Sequence, residues 1–238
     1  MRKLALVTAT LIGCAYPAIA ADLGPSDPPP QTWNWTACHF GGHAGGMWGH
    51  QQWINKTTGG DFFGLSLGEH DQSSWIAGLQ AGCDYQTSIG LVIGAGGNYA
   101  WSDAEGSHPS TRETGVFYHS EVDSLASVTG RVGYAWDRLL GYVKGGAGWE
   151  RDDYWATTLI LGTAYTASET RSGWTIGGGA EYGLTDRLSA FVEYSHYDFG
   201  NPAIGLKPKV VGLRRASVDL EEITDVVRIG LNLRFTGW

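Results

Sequence analysis

The segment DVVRIGLNLRF, residues 225–235, alternates between two kinds of side chain along almost its whole length. Successive side chains of a β-strand point to opposite faces, so this segment has an apolar face and a face that carries Arg228 and Arg234. A soluble β-sandwich would turn the apolar face inward, whereas a membrane β-barrel would turn it toward lipid. The rest of the chain decides between these folds. The apolar face consists of Val227, Ile229, Leu231, Leu233 and Phe235.

The N-terminus has the features of a secretory signal peptide. A basic start at residues 1–3 precedes an apolar run at residues 4–13, and residues 18–20 form an A-x-A cleavage site. The run is too short to span a membrane as a helix. We therefore predict a signal peptide over residues 1–20 and a mature protein in or beyond a bacterial periplasm. A lipoprotein cleavage site at Cys14 is the alternative, and the short apolar run before it argues against that interpretation.

The composition favours β-structure in a membrane. The chain has 24 acidic and 16 basic residues, with a net charge of −8, which argues against nucleic acid as a partner. Its 36 glycines would weaken helices, and its 11 tryptophans fit the aromatic belts of membrane proteins. No later apolar run approaches the ~20 residues of a transmembrane helix.

A proline-rich lead-in precedes a series of alternating segments. We predict that residues 21–34 form an extended periplasmic lead-in and that residues 35–238 form one domain. Eight segments within that domain alternate with the period of a strand, and their length matches the ~9–11 residues that cross a bilayer at a tilt. These segments lie at about 35–48, 74–85, 91–101, 124–136, 141–150, 173–183, 189–199 and 225–235.

The links between these segments alternate in length. Three of them are predicted as short turns, at roughly 86–90, 137–140 and 184–188. Four are predicted as long loops, at roughly 49–73, 102–123, 151–172 and 200–224. Outer-membrane barrels have short turns on the periplasmic side and long loops outside. The links therefore predict four exposed loops on one side of a membrane.

The charged residues of the strands share one parity. In a sandwich they would face water, whereas in a barrel they would face inward and pair. An eight-stranded barrel has an interior just wide enough to be filled by its own side chains. We therefore predict an all-β fold, an eight-stranded antiparallel transmembrane up-and-down β-barrel, closed because lipid-exposed strand edges are not tolerated. Its predicted luminal charge network consists of Asp84, Arg131, Lys144, Glu150, Glu181, Glu193, Arg228 and Arg234.

Several motifs resemble those of a known family. They are W-T-x5-G-G-H-A-G at 35–45, GRVGYAWDRLLGYVKGGAGW at 130–149, SGWTIGGGAEYGLTDRLSAFVEYSHYDFG at 172–200 and VVRIGLNLRF at 226–235. Together they are similar to the small outer-membrane β-barrel proteins of α-proteobacteria, the porin-family surface antigens related to the OmpA transmembrane domain. This resemblance implies an eight-stranded barrel, surface exposure and a location in the bacterial outer membrane.

The resemblance also implies insertion by the outer-membrane assembly machinery, which reads a C-terminal aromatic strand. The assembly signal would be the apolar face of residues 227–235. Two features depart from the family pattern. The family usually stops at an arginine–phenylalanine pair, whereas residues 236–238 follow Phe235 here. Cys38 and His39 stand where the family usually has aromatic residues.

Our leading functional hypothesis is a non-enzymatic structural protein and surface antigen. The barrel would anchor it among outer-membrane lipids, and the exposed loops would contact host or surface ligands. The last loop carries a basic group that is a candidate contact for lipopolysaccharide phosphates, although a solvated loop of mixed charge is the simpler interpretation. This basic group consists of Lys207, Lys209, Arg214 and Arg215.

Transport and catalysis are the alternatives. The transport alternative is a small-solute porin or a haem-binding barrel. A haem or metal role would fall to His39 and His43, which share the luminal parity, but four residues along a strand place them roughly 13 Å apart, too far for one metal ion. A lipid-modifying enzyme would need a nucleophile and a base, and the residues that come closest are Ser195, His196 and Asp198. Neighbours in a strand point apart, so Ser195 and His196 face opposite sides. We predict no catalytic activity, metal or cofactor.

Two cysteines remain after removal of the signal peptide. Cys38 and Cys83 both fall on the predicted lipid face, near the periplasmic ends of adjacent strands. The compartment is oxidising, so a disulfide is compatible with the sequence, and so are two separate thiols in lipid. Their spacing matches no metal motif.

Overall fold

The computed structural model of the protein describes residues 33–55, 64, 66–110, 115–158, 162–200, 203–208 and 216–235. The predicted signal peptide and residues 21–32 of the lead-in lie outside these residues. Within them, no helix is long and apolar enough to cross a bilayer. The strands are β1 Ala37–Asn55, β2 Ser66–Gln86, β3 Leu91–Pro109, β4 Val116–Trp136, β5 Leu139–Thr158, β6 Gly162–Thr185, β7 Leu188–Asp198, β8 Ala203–Pro208 and β9 Ala216–Phe235.

The sheet closes on itself. Each strand from β1 to β6 pairs antiparallel with its successor, β7 pairs with β9, and β9 pairs with β1. The short strand β8 pairs with β6 and β9 and so continues the position of β7 in the wall. The wall therefore has eight strand positions, and the prediction of an eight-stranded barrel is confirmed. Closure pairs the edges that an open sheet would expose to lipid.

The three predicted short turns are present, at residues 87–90, 137–138 and 186–187. Asp137 has a φ of 53°, in the left-handed region that a short polar side chain tolerates. The extents of the predicted long loops are wrong, because most of those residues continue the strands. Glu105 pairs with Glu121 and Asp152 pairs with Glu169, all within stretches predicted as loops. These segments lack a regular apolar face, so the alternating pattern stops while backbone pairing continues.

The outer surface carries a broad apolar band. Its middle is aliphatic, with residues such as Ile176, Val192 and Ile229 at least half exposed. Two aromatic girdles flank it. The girdle near the short turns consists of Tyr85, Tyr134, Trp136, Tyr182 and Phe235, and the second girdle, toward the other end, consists of Trp48, Trp75, Trp101, Trp149 and Trp174. From Trp174 to Tyr182 the strand runs about 26 Å at ~3.3 Å per residue. This length is of the order of the ~25 Å apolar band of outer-membrane barrels.

Candidate functional site

The barrel interior is filled by successive layers of side chains. Strand β5 shows their order, since its inward residues run from Leu140 and Tyr142 through Lys144 and Gly148 to Glu150. Leu140 and Tyr142 belong to an apolar cluster near the short turns, and Lys144 to a charged layer. A Cβ on Gly148 would lie 2.8 Å from the ring of Tyr197, so glycine here makes room for a second apolar layer. Glu150 begins a second charged group beyond it.

Two tryptophans from the N-terminal segment close the end of the barrel near the short turns. The backbone NH of Trp33 donates to Asp137 Oδ1 at 3.1 Å, and Trp35 Nε1 donates to the Asp137 carbonyl at 3.0 Å. Trp33 is 8% exposed and Trp35 is 0% exposed. A Cβ on Gly183 would lie 2.5 Å from the Trp33 ring, so only glycine fits there. The packed unit thus begins at Trp33, inside the segment that the sequence assigns to the lead-in.

Arg234 belongs to this closure. Its guanidinium lies 4.7 Å from the ring centroids of both Trp33 and Trp35, and it donates to the carbonyl of Asn34 at 3.0 Å. Cations over aromatic faces are attracted by the ring quadrupole. The position of Arg234 is inward as the sequence predicts, but its described contacts are with tryptophans and a carbonyl group.

The first charged layer is centred on Arg131. Its guanidinium pairs with Asp84 through two nitrogens and donates to Glu181 Oε2 at 3.0 Å. The other oxygen of Glu181 accepts from Ser189 Oγ at 2.6 Å and from Asn232 Nδ2 at 3.0 Å. A buried carboxylate needs this number of donors to offset the loss of water. Two of the donors, Ser189 and Asn232, were not singled out in the sequence.

The second charged part of this layer is centred on Glu193. One carboxylate oxygen accepts from Lys144 Nζ at 2.8 Å and from Arg228 Nε at 2.6 Å. The other accepts from the Tyr142 hydroxyl at 2.9 Å. The side chains of Lys144 and Arg228 are 4% and 5% exposed, so this carboxylate compensates two buried cations.

The two luminal histidines occupy separate places. His39 Nδ1 lies 3.4 Å from Asp84. His43 Nδ1 lies 2.7 Å from Gln80 Oε1, and the Gln80 amide nitrogen donates to Asn232 Oδ1 at 2.8 Å. Because the amide nitrogen is used as a donor, Gln80 Oε1 is the acceptor and His43 Nδ1 carries the hydrogen. Among the described residues, no group of three or more histidines, cysteines or carboxylates is placed to hold a metal ion.

The part of the barrel away from the short turns contains an apolar layer and a further charged group. Arg171 donates to Glu150 at 2.8 Å and to Asp152 Oδ2 at 2.9 Å. Sequence reasoning missed Arg171 and Asp152 because it placed both in a loop, although Asp152 shares the parity of Glu150. The apolar layer consists of Met47, Ile76, Ala100, Val122, Leu125, Tyr197, Phe199 and Val226.

The candidate catalytic residues do not assemble. Ser195 is buried and its hydroxyl donates to Glu193 at 3.3 Å. His196 lies on the outer surface, where its Nδ1 is 2.8 Å from Asp225. Asp198 accepts from the backbone NH of Gly200 at 2.8 Å. The three side chains therefore serve different partners, and Ser195 faces the interior whereas His196 and Asp198 lie on the outward parity.

The remaining predicted residues lie on the outer surface or outside the described residues. The apolar face of β9, from Val227 to Phe235, is 40–63% exposed and belongs to the apolar band. Lys207 is exposed on β8, whereas Lys209, Arg214 and Arg215 lie outside the described residues. Cys38 and Cys83 form a disulfide, which decides between the alternatives that the sequence left open.

The comparisons with known proteins agree with this architecture. The model of the outer membrane protein beta-barrel domain matches residues 37–235. The chain is 29% identical to a 31 kDa outer-membrane immunogenic protein of Brucella melitensis, over 93% of this chain and 95% of that protein. It is 26% identical to a 25 kDa outer-membrane immunogenic protein of Brucella abortus, over 99% of both chains.

Two solved structures share the fold at low sequence identity. The outer membrane protein OprG from Pseudomonas aeruginosa has a TM-score of 0.54 and 11% identity, with 87% of this chain and all of that chain covered (100%). The outer membrane protease OmpT from Escherichia coli has a TM-score of 0.53 and 10% identity, with 84% and 97% covered. At this identity the likeness concerns the fold alone. From the match over residues 37–235, we conclude that this chain belongs to the outer membrane protein beta-barrel domain family and resides in the bacterial outer membrane.

Proposed function

We propose that the protein is a non-enzymatic structural protein and surface antigen of the outer membrane. The barrel anchors the chain in lipid, and the strand ends away from the short turns, with their connecting loops, form the contact surface. The layered interior is the observation that carries this proposal. The names of the Brucella relatives as immunogenic outer-membrane proteins support exposure at the cell surface.

The interior argues against a role in solute passage. A solute entering from the short-turn side meets Trp33 and Trp35, then the ion pairs of Arg131 and Glu193, then the apolar layer around Tyr197. The cavity beside His43 has a volume of about 60 Å³. Since a water needs about 10–15 Å³ of such space, this cavity accommodates a few waters.

The outer ends of the strands offer side chains to the cell exterior. Exposed polar residues lie beyond the second aromatic girdle, namely Glu105 on β3 and Ser168 and Glu169 on β6. We place these ends outside the cell because outer-membrane barrels keep their short turns in the periplasm. Ligands at the cell surface would meet this polar rim.

Lipopolysaccharide is the partner we propose for the basic group of β8 and the loop that follows. Lys207 is exposed beyond the apolar band, and three further basic residues follow it within eight positions of the sequence. Ammonium and guanidinium groups form strong hydrogen bonds with phosphate. Neutralising all four residues with glutamine should reduce co-purified lipopolysaccharide. A matched change of Arg138 and Arg187, at the short turns, should leave it unaltered, and equal retention by both variants would contradict this partner.

Two measurements test the proposed function. In planar bilayers the purified protein should show no discrete openings under conditions where a general porin does, and regular openings would overturn the structural role. On intact cells, protease should cleave the chain in the links after β3 and β5 and spare the turns at residues 87–90 and 137–138. Cleavage at those turns with the outer links intact would reverse the proposed orientation.

A further inference from the structure

The disulfide between Cys38 and Cys83 lies on the outside of the barrel. Cys83 is exposed, and its outward neighbours on β1 and β2 are Phe40, at 49% exposure, and Tyr85, at 63%. Cys38 also pairs in register with Phe235, the last residue of β9. The bond therefore faces lipid at the level of the aromatic girdle near the short turns, beside the seam where the first strand meets the last.

This location is incompatible with enzymatic oxidation after membrane insertion. Disulfide formation proceeds through a thiolate that attacks a partner disulfide, and an apolar surrounding disfavours the thiolate. A folded oxidase would also need to bring its own sulfur atoms against the wall of the barrel, where lipid lies. The two cysteines are accessible to such an enzyme only while the chain is still in the periplasm, an oxidising compartment.

The bond permits one register of β1 against β2. Cys38 and Cys83 are directly opposed, with their Cα atoms 3.9 Å apart. A slip of one residue would turn one cysteine to the other face, and a slip of two would move the Cα atoms to about 7–8 Å, beyond the reach of a disulfide. The bond thus excludes both of the nearest incorrect pairings.

Strand β1 is where such a constraint is needed. It contains five glycines, in the sequence FGGHAGGMWG of residues 40–49. Glycine-rich strands specify their register weakly, because they offer few side chains to match. Since β1 also pairs with β9, an error in the β1–β2 register would be carried to the seam that closes the barrel.

We propose that Cys38 and Cys83 are a substrate of a periplasmic thiol oxidase before insertion, and that the resulting bond sets the register of the seam strand. One cysteine thiolate attacks the disulfide of the oxidase and forms a mixed disulfide. The other cysteine thiolate then attacks that bond. The two cysteines lose two protons and two electrons in all, and the oxidase leaves as a dithiol.

The order of events is tested by trapping thiols in cells that lack periplasmic proteases and are depleted of the outer-membrane assembly machinery. Acid quenching is followed by a maleimide-polyethylene glycol that shifts the mobility of free thiols. We expect the unassembled mature chain to carry no label until it is reduced, after which it gains two. Two labels on the unassembled chain, with a bonded pair in the assembled protein, would overturn the proposed order.

The effect on register is tested with the full chain and the double variant Cys38→Ser/Cys83→Ser, in strains with and without the thiol oxidase. The readout is the fraction that runs as a compact, heat-modifiable barrel. Loss of the oxidase should lower this fraction for the natural chain, whereas the double variant should already be lowered and should not fall further. The variant also corrects for any general effect of the oxidase on assembly. An unchanged compact fraction for the natural chain without oxidase would overturn the proposed role of the bond.

Discussion

Replacement of Glu193 by glutamine tests the charged layer most directly. The change keeps the size of the side chain and removes its negative charge. Lys144 and Arg228 then remain buried, at 4% and 5% exposure, without the carboxylate that pairs with both. Removing one partner of a buried ion pair costs about 3–5 kcal/mol, because the remaining charge is left without compensation. Since two cations lose their partner here, we expect a loss near the upper end, about 4–5 kcal/mol.

The assay is urea unfolding in detergent micelles, followed by tryptophan fluorescence and by heat-dependent electrophoretic mobility. Glu169→Gln is the matched control, because Glu169 is exposed on β6 and its replacement should change the free energy of unfolding by less than about 0.5 kcal/mol. Adding Lys144→Met to Glu193→Gln removes one of the uncompensated cations and should recover part of the loss. A Glu193→Gln protein within ~1 kcal/mol of the natural chain would refute the reasoning.

Three further outcomes follow from the packing and from the length of the strands. Trp35→Ala should lower the free energy of unfolding by about 3–5 kcal/mol, because it empties a fully buried site at the end of the barrel near the short turns. A loss within ~1 kcal/mol would show that this end is loosely packed. Arg171→Met should cost about 3 kcal/mol in the same unfolding assay, since it removes the guanidinium that donates to Glu150 and Asp152, and an unaltered midpoint would contradict this. A membrane-impermeant maleimide should label Ser168→Cys on intact cells but not Ile176→Cys. Equal labelling of the two variants would show that the edge of the bilayer does not lie between these positions.

The sequence was most informative where the two faces of a strand meet different surroundings. Between the two aromatic girdles, one face of a strand meets lipid and the other meets the charged interior, so the parity of the strand positions alone identified Arg131 and Glu193 as inward. Beyond the second girdle, the surroundings of both faces are polar. The alternation fades there, which is why residues such as Glu105 and Asp152 were assigned to loops although they lie in strands.

The pattern of faces and turns was available from the sequence because it depends on local chemistry: the period of two, the turn residues and the sign of each side chain. The pairing of those side chains is a property of the closed barrel. Trp33 meets Asp137 across 104 residues, and Arg234 meets Asn34 across 200. Such contacts depend on the register of eight strand positions at once. Only the tertiary structure could therefore decide that tryptophans close the end of the barrel near the short turns, that Glu193 compensates two buried cations, and that Cys38 and Cys83 are bonded.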